Sequence, residues 1–282
     1  MKQILVAIDF SKTSLNALQY GIMLANKSNA ALQMVWVDNT RSEELVYEDF
    51  TNEERTEKVE MLKNIQKKNK NTLKSGKLDY KIRKGKVYIE LAQHAKSVGA
   101  DFIISGTHGV SGFEEFWIGS NAYRIVTHSP CPVVTIRLGF EVREIDRIVL
   151  PIDSSQETRQ KVPIASEIAK LFNSEIHILS LYSTSLKSVQ KRIDNYALQV
   201  RQFLDKQGIK YKSEIRESDN ITRSTLDYSE EINASLIVIM TEQETTTANL
   251  FLGTYAQQMI NHSTIPVLSV RSKELVPITN RK

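Results

Sequence analysis

Residues 4–11 read ILVAIDFS, and residues 148–155 read IVLPIDSS. The two stretches align without a gap at a constant offset of 144, which sets Asp9 of the first against Asp153 of the second. Two more pairs repeat farther along: GADFIISGTHG at 99–109 with NASLIVIMTEQ at 233–243, and THSPCPVVTIR at 127–137 with NHSTIPVLSVR at 261–271. There the offset is 134, so the second copy is shorter, and the polar stretch 40–54 is where the loss is expected. A repeat on this scale fixes the architecture before any local reading: the chain is one domain twice over.

Each copy alternates two periodicities. Residues 3–9 form an apolar run ending in an acid, as a buried parallel strand requires, and 11–27 place Leu15, Leu18, Ile22 and Ala25 at helical spacing. Outward from there the pattern predicts a strand at 31–37, a helix at 52–73, a strand at 78–83 and a helix at 87–98. Strands at 101–105 and 133–137 then flank a helix at 120–128. The second copy repeats the order, with strands at 147–152, 175–181, 210–215, 235–240 and 267–270. The expected fold is α/β, two tandem five-stranded parallel sheets of Rossmann-like winding with strand order 3-2-1-4-5. The domains are expected at 1–139 and 146–275, with a polar linker carrying Gly139 between them and a tail at 276–282.

Composition narrows the function class. The chain has 282 residues, 41% hydrophobic and 25% charged, which is ordinary for a folded soluble protein. Its 37 basic and 33 acidic residues are interspersed, so the net charge of +4 builds no nucleic-acid face, and no nucleic-acid motif accompanies it. The single Cys131 excludes an intrachain disulfide. No apolar run approaches the roughly 18 residues of a membrane span, and the N-terminus lacks a signal-peptide pattern. No membrane partner and a cytoplasmic location are expected.

Ligands of such sheets bind beyond the carboxyl ends of the strands, where the winding reverses between the first and fourth strands. Asp9 lies there, and so does the loop that opens at Gly106 and runs through Thr107, His108, Gly109 and Gly112 to Gly119, Ser120 and Asn121. Glycines let main-chain N–H groups approach an anion, and a helix opening at Gly119-Ser120 offers uncapped N–H groups and a favourable dipole. A loop that only turns the chain would not need four glycines at these spacings. No Lys or Arg lies between Gly106 and Ser120, whereas Glu114 and Glu115 do, so phosphate charge would fall to backbone dipoles, to Arg124 or to Mg²⁺. The basic run 63–74 reads as the solvated face of a helix, and Cys131 as a small buried residue.

In the second copy Gly106 becomes Met240, Gly109 becomes Gln243 and Gly112 becomes Thr246, leaving only Gly253-Thr254 and Asp153. Side chains and acids in that loop disfavour a triphosphate. The five histidines show no metal-ligand spacing, and Walker, GxGxxG and nucleophile-elbow motifs are absent.

The spacing Gly106-x2-Gly109-x9-Gly119-Ser120, with ILVAIDFS before it and CPVV after it, resembles the universal stress protein family over both copies. The resemblance implies ATP, alone or with Mg²⁺, in the first domain only, with Asp9 and the second-strand residues Trp36 and Val37 near the nucleoside. It implies a regulatory role in stress response, with two alternatives: a non-catalytic scaffold with vestigial sites, or a slow ATPase. Hydrolysis would need a group that positions water near the γ-phosphate, and only Asp9 and His108 offer one. The resemblance also implies that the two domains pair through their last strands as an intramolecular pseudo-dimer, and it leaves open a further homodimer.

Overall fold

A computed structural model describes residues 1–39, 50–74, 77–107, 119–241, 243–246 and 249–272. The first half runs β1 (Gln3–Ala7), α1 (Lys12–Ser28), β2 (Ala31–Asp38), α2 (Phe50–Lys68), β3 (Leu78–Lys84), α3 (Val87–Val98), β4 (Phe102–Gly106), α4 (Ser120–His128) and β5 (Val133–Ile136). The second runs β6 (Arg147–Ile152), a short 3-10 turn (Gln156–Arg159), α5 (Val162–Phe172), β7 (Glu175–Tyr182), α6 (Lys187–Gln207), β8 (Tyr211–Glu217), α7 (Ile221–Glu231) and β9 (Leu236–Thr241). It then continues through β10 (Gln243–Thr246), β11 (Asn249–Leu252), α8 (Thr254–His262) and β12 (Val267–Arg271).

One ten-stranded sheet carries both halves, in the order β3-β2-β1-β4-β5-β12-β9-β6-β7-β8. Each half therefore has the order 3-2-1-4-5, as the sequence predicts. Within this sheet every pairing inside a half is parallel, while β5 and β12 meet antiparallel, with Val134 opposite Leu268. Helices cover both faces, as the near-continuous burial of the strands demands. One core cluster runs unbroken from Ile4 and Val6 through Val134 and Leu268 to Val238 and Ile148. The seam is tied further by Arg137, which donates to the Asn261 carbonyl at the end of α8, where a cation offsets the helix dipole. The N-terminal ammonium of Met1 reaches Glu167 of α5, and Lys27 of α1 lies over the Phe172 ring.

Local chemistry explains the helix ends. The Ser11 hydroxyl caps α1 by accepting from the Ser14 N–H, and Asn29 closes it in the left-handed region at φ 54°. The repeat preserves that stop: Asn173 ends α5 at φ 54°. The helix predicted at 52–73 ends earlier, at Lys68. There the Asn69 amide donates to the Ile65 carbonyl and the Thr72 hydroxyl to the Asn69 carbonyl, so side chains replace the helical ladder. The basic run 63–74 thus lies only partly on a helix. The shortening of the second copy is also shared. The links around α2 are 39–49 and 69–77, whereas those around α6 are 183–186 and 208–210. The linker is polar in sequence yet held: Asn16 donates to the Phe140 carbonyl, Phe140 packs edge-on against Tyr20, and Ile145 is buried.

Candidate functional site

A cavity of about 470 Å³ opens at the carboxyl ends of β1, β2 and β4, where the winding of the first half reverses. Asp9, Trp36, Val37, Gly106, Thr107, Gly119, Ser120 and Asn121 all line it. The structure thus gathers eight of the sequence-predicted positions around one space of ligand size. His108, Gly109 and Gly112, with Glu114 and Glu115, lie outside the described residues.

Asp9 is held by the turn that starts α1. Its Oδ1 accepts from the Ser11 N–H at 3.0 Å and from the Ser11 hydroxyl at 2.6 Å. Between them Phe10 adopts φ 66°, a left-handed backbone unusual for a bulky side chain, whereas the equivalent Ser154 of the second half does not. Strain of this sort persists only where the surroundings fix it, and it often marks a site. The Phe10 ring sits 6.0 Å from that of Trp36, and the Lys58 ammonium lies 5.4 Å from the Phe10 ring centre. Trp36 is half-buried: it packs against the core and also walls the cavity, so core packing and ligand contact are not alternatives for it. Val37 is buried on the opposite face of the sheet.

The strand-to-helix passage closes tightly. Thr107 donates its N–H to Ile136, and its carbonyl accepts from the Gly119 N–H at 2.8 Å. Gly119 caps α4 with no side-chain hydrogen bond, and Ser120 and Asn121 of the first helical turn line the cavity. Neither described glycine of this passage needs a left-handed backbone. Gly119 has φ −56°, and Gly106 is not left-handed either. At Gly106 a Cβ would stand 2.8 Å from Thr13 Cγ2 and 3.1 Å from the Thr13 backbone carbon, so α1 approaches too closely for any side chain. Gly106→Ala is expected to lower stability by about 1–3 kcal/mol through overpacking, measured as a shift in the urea midpoint at unchanged m-value.

The charge balance also departs from the sequence reading. Arg124 turns away from the cavity and lies against the Tyr88 ring. Positive charge comes from α2 instead: Arg55 and Lys58 line the cavity, together with Glu54. Sequence reasoning missed them because α2 reads as a charged, solvated helix. Phe10 and the buried Asp38 were missed too, although Phe10 directly follows Asp9. Cys131 is half-buried rather than buried, packed against the core, and partial burial pushes its thiol up to about 11.

The second half keeps the frame and changes the contents. Asp153 accepts from Ser155 as Asp9 does from Ser11, and Gly253 caps α8 at φ −57° as Gly119 caps α4. The segment read as a loop contributes β10, which pairs antiparallel with β11, so part of its backbone is taken up in that ladder. The cavity there is about 200 Å³. Among the described residues, no cluster of three or more His, Cys, Asp or Glu could hold a metal, and no helix is long and apolar enough to cross a membrane.

Comparison with known proteins agrees with this frame. The chain matches the Universal stress protein family twice, at residues 1–137 and 144–271. Universal stress protein YxiE of Bacillus subtilis is 34% identical over 147 residues, covering 48% of this chain and 98% of the relative. A putative universal stress protein of Staphylococcus epidermidis is 32% identical over 146 residues, covering 48% and 84%. The crystal structure of a universal stress protein from Archaeoglobus fulgidus aligns over 95% of this chain and 98% of its own, with a TM-score of 0.77 at 21% identity, a likeness of fold. The chain belongs to the universal stress protein family, as two of its domains joined in tandem.

Proposed function

We propose that the first domain binds ATP, alone or with Mg²⁺, and that the second does not, so that the chain acts as a cytoplasmic nucleotide-responsive regulator. The observation that carries this reading is the convergence of the strained turn at Asp9-Phe10, the Trp36-Val37 strand end and the uncapped start of α4 on one cavity. The first-turn N–H groups at Ser120 and Asn121 would hold phosphate oxygens, Lys58 and Arg55 would offset their charge, and Val37 and Trp36 would wall the nucleoside. The smaller cavity and hairpin of the second half support leaving that domain without nucleotide. Asp9, already bonded twice by Ser11, is a poor base, so turnover with Mg²⁺ is expected to stay near background.

Calorimetric titration with Mg-ATP tests the reading. The expected result is one site per chain, weakened at least about tenfold by Gly119→Val, which places a branched side chain at the start of α4. Lys58→Glu is expected to weaken ATP about tenfold while changing adenosine little, because its effect is on phosphate charge. Two sites per chain would reject the division of labour. No binding by folded protein free of copurified nucleotide would leave the scaffold as the better account.

A further inference from the structure

The second half buries an amine that nothing in the nucleotide reading uses. Position 17 of the first copy is Ala17, fully buried in the core, and the equivalent position of the second copy is Lys161, only 2% exposed. Asp9, Ser11 and Ser14 correspond to Asp153, Ser155 and Thr158: each aspartate accepts from the serine two residues on and donates its N–H to the hydroxyl five residues on, while the Ser11 cap of Ser14 has no counterpart. The Lys161 Nζ donates to the Thr158 carbonyl at 2.7 Å and to the Thr158 hydroxyl at 3.1 Å, two acceptors for three protons. Asp153 and Glu157 line the same cavity of about 200 Å³, with Thr241, Tyr255 and Ser272. Burial pulls the ammonium down to about 8, against the opposing pull of Asp153. A buried ammonium is costly, and a lysine poised to lose its proton in a cavity is the arrangement of a nucleophilic amine.

Charge selects the electrophile. One ammonium faces two carboxylates, so a free phosphate or carboxylate meets net negative charge, whereas a neutral molecule does not. An adduct that keeps a positive charge on nitrogen keeps its attraction to Asp153. The volume admits a ligand of few heavy atoms.

The geometry points to Lys161 as a reactive amine that condenses with a small neutral aldehyde in the second-domain cavity. The neutral Nζ adds its lone pair to the carbonyl carbon, and the carbonyl oxygen takes up the proton lost by nitrogen. The resulting carbinolamine expels water to give an imine, which is protonated beside Asp153, so no oxidant or reductant is consumed. The amine lies in the second half, and its reactivity does not depend on nucleotide in the first.

The full-length chain is treated briefly with propanal and cyanoborohydride at neutral pH, and propylated lysines are mapped by peptide mass spectrometry. The expected result is propylation of Lys161 at least about tenfold faster than of the exposed lysines. Glyoxylate, an aldehyde carrying a carboxylate, is expected to leave Lys161 behind them. In urea-unfolded chain the preference should vanish. The proposal is overturned if Lys161 stays unmodified in folded protein while exposed lysines react, if glyoxylate labels it first, or if the preference survives unfolding.

Discussion

Leu268→Asp should cost at least about 5 kcal/mol, enough to unfold most proteins of ordinary stability. Leu268 is fully buried in β12, opposite Val134 of β5 on one side and Val238 of β9 on the other. A carboxylate there loses the burial of a leucine and is desolvated among apolar neighbours from both halves. The milder Leu268→Ala removes the same contacts without adding charge, and about 2–5 kcal/mol is expected for it. Because one core cluster crosses the seam, the wild-type chain should melt in a single transition, with no plateau belonging to one half. Urea titration followed by circular dichroism checks both points. A cost below about 1 kcal/mol for Leu268→Ala would mean that the halves stand independently.

Lys161 gives the second large effect, with a sign set by its burial. The amine falls from 10.5 in the unfolded chain to about 8 in the folded one. Between those values the unfolded chain binds more protons than the folded chain, so stability rises with pH across the window. At about 1.4 kcal/mol for each pH unit, the gain from pH 8 to pH 10.5 is about 3 kcal/mol. The same amount is a standing penalty at neutral pH, where the folded protein must hold a charged amine in its interior. Lys161→Met should abolish the rise and be close to neutral or stabilising at pH 7, since a flexible apolar chain replaces a desolvated charge. The measurement is the difference in unfolding free energy between the two proteins at pH 7, 8, 9 and 10. Parallel curves would show that the amine ionises alike in both states.

The fold was legible because its signals are local and doubled. The run at residues 4–8 is apolar on both faces, so a central parallel strand was the natural reading, and its echo at 148–152 removed the ambiguity. Helix ends were harder: α2 stops at Lys68 because Asn69 and Thr72 bond back to the chain, a choice of side-chain geometry that periodicity does not record. Strand β10 was read as part of a loop because its sequence, QETT, is polar and shows no apolar alternation. At the site, the backbone frame was legible from the glycine spacing, but the reason for Gly106 was not. Its constraint is the approach of Thr13, ninety-odd residues earlier in sequence. For the same reason Lys58 and Arg55 escaped notice: a charged helix does not announce which of its residues a distant strand end will face.

The antiparallel meeting of β5 and β12 has a consequence for how such a chain can change over time. In a pair of identical subunits every substitution is made twice, and a residue that suits one cavity must also be tolerated in the other. Here the partner is the same polypeptide, so each half is altered singly while the shared core keeps both in place. An alanine in one copy and a buried lysine at its counterpart, or a left-handed Phe10 in one and an ordinary Ser154 in the other, can coexist only under that freedom. The covalent join has made the two halves unequal heirs of one design, with the first free to keep a cavity of about 470 Å³ and the second free to narrow its own to about 200 Å³.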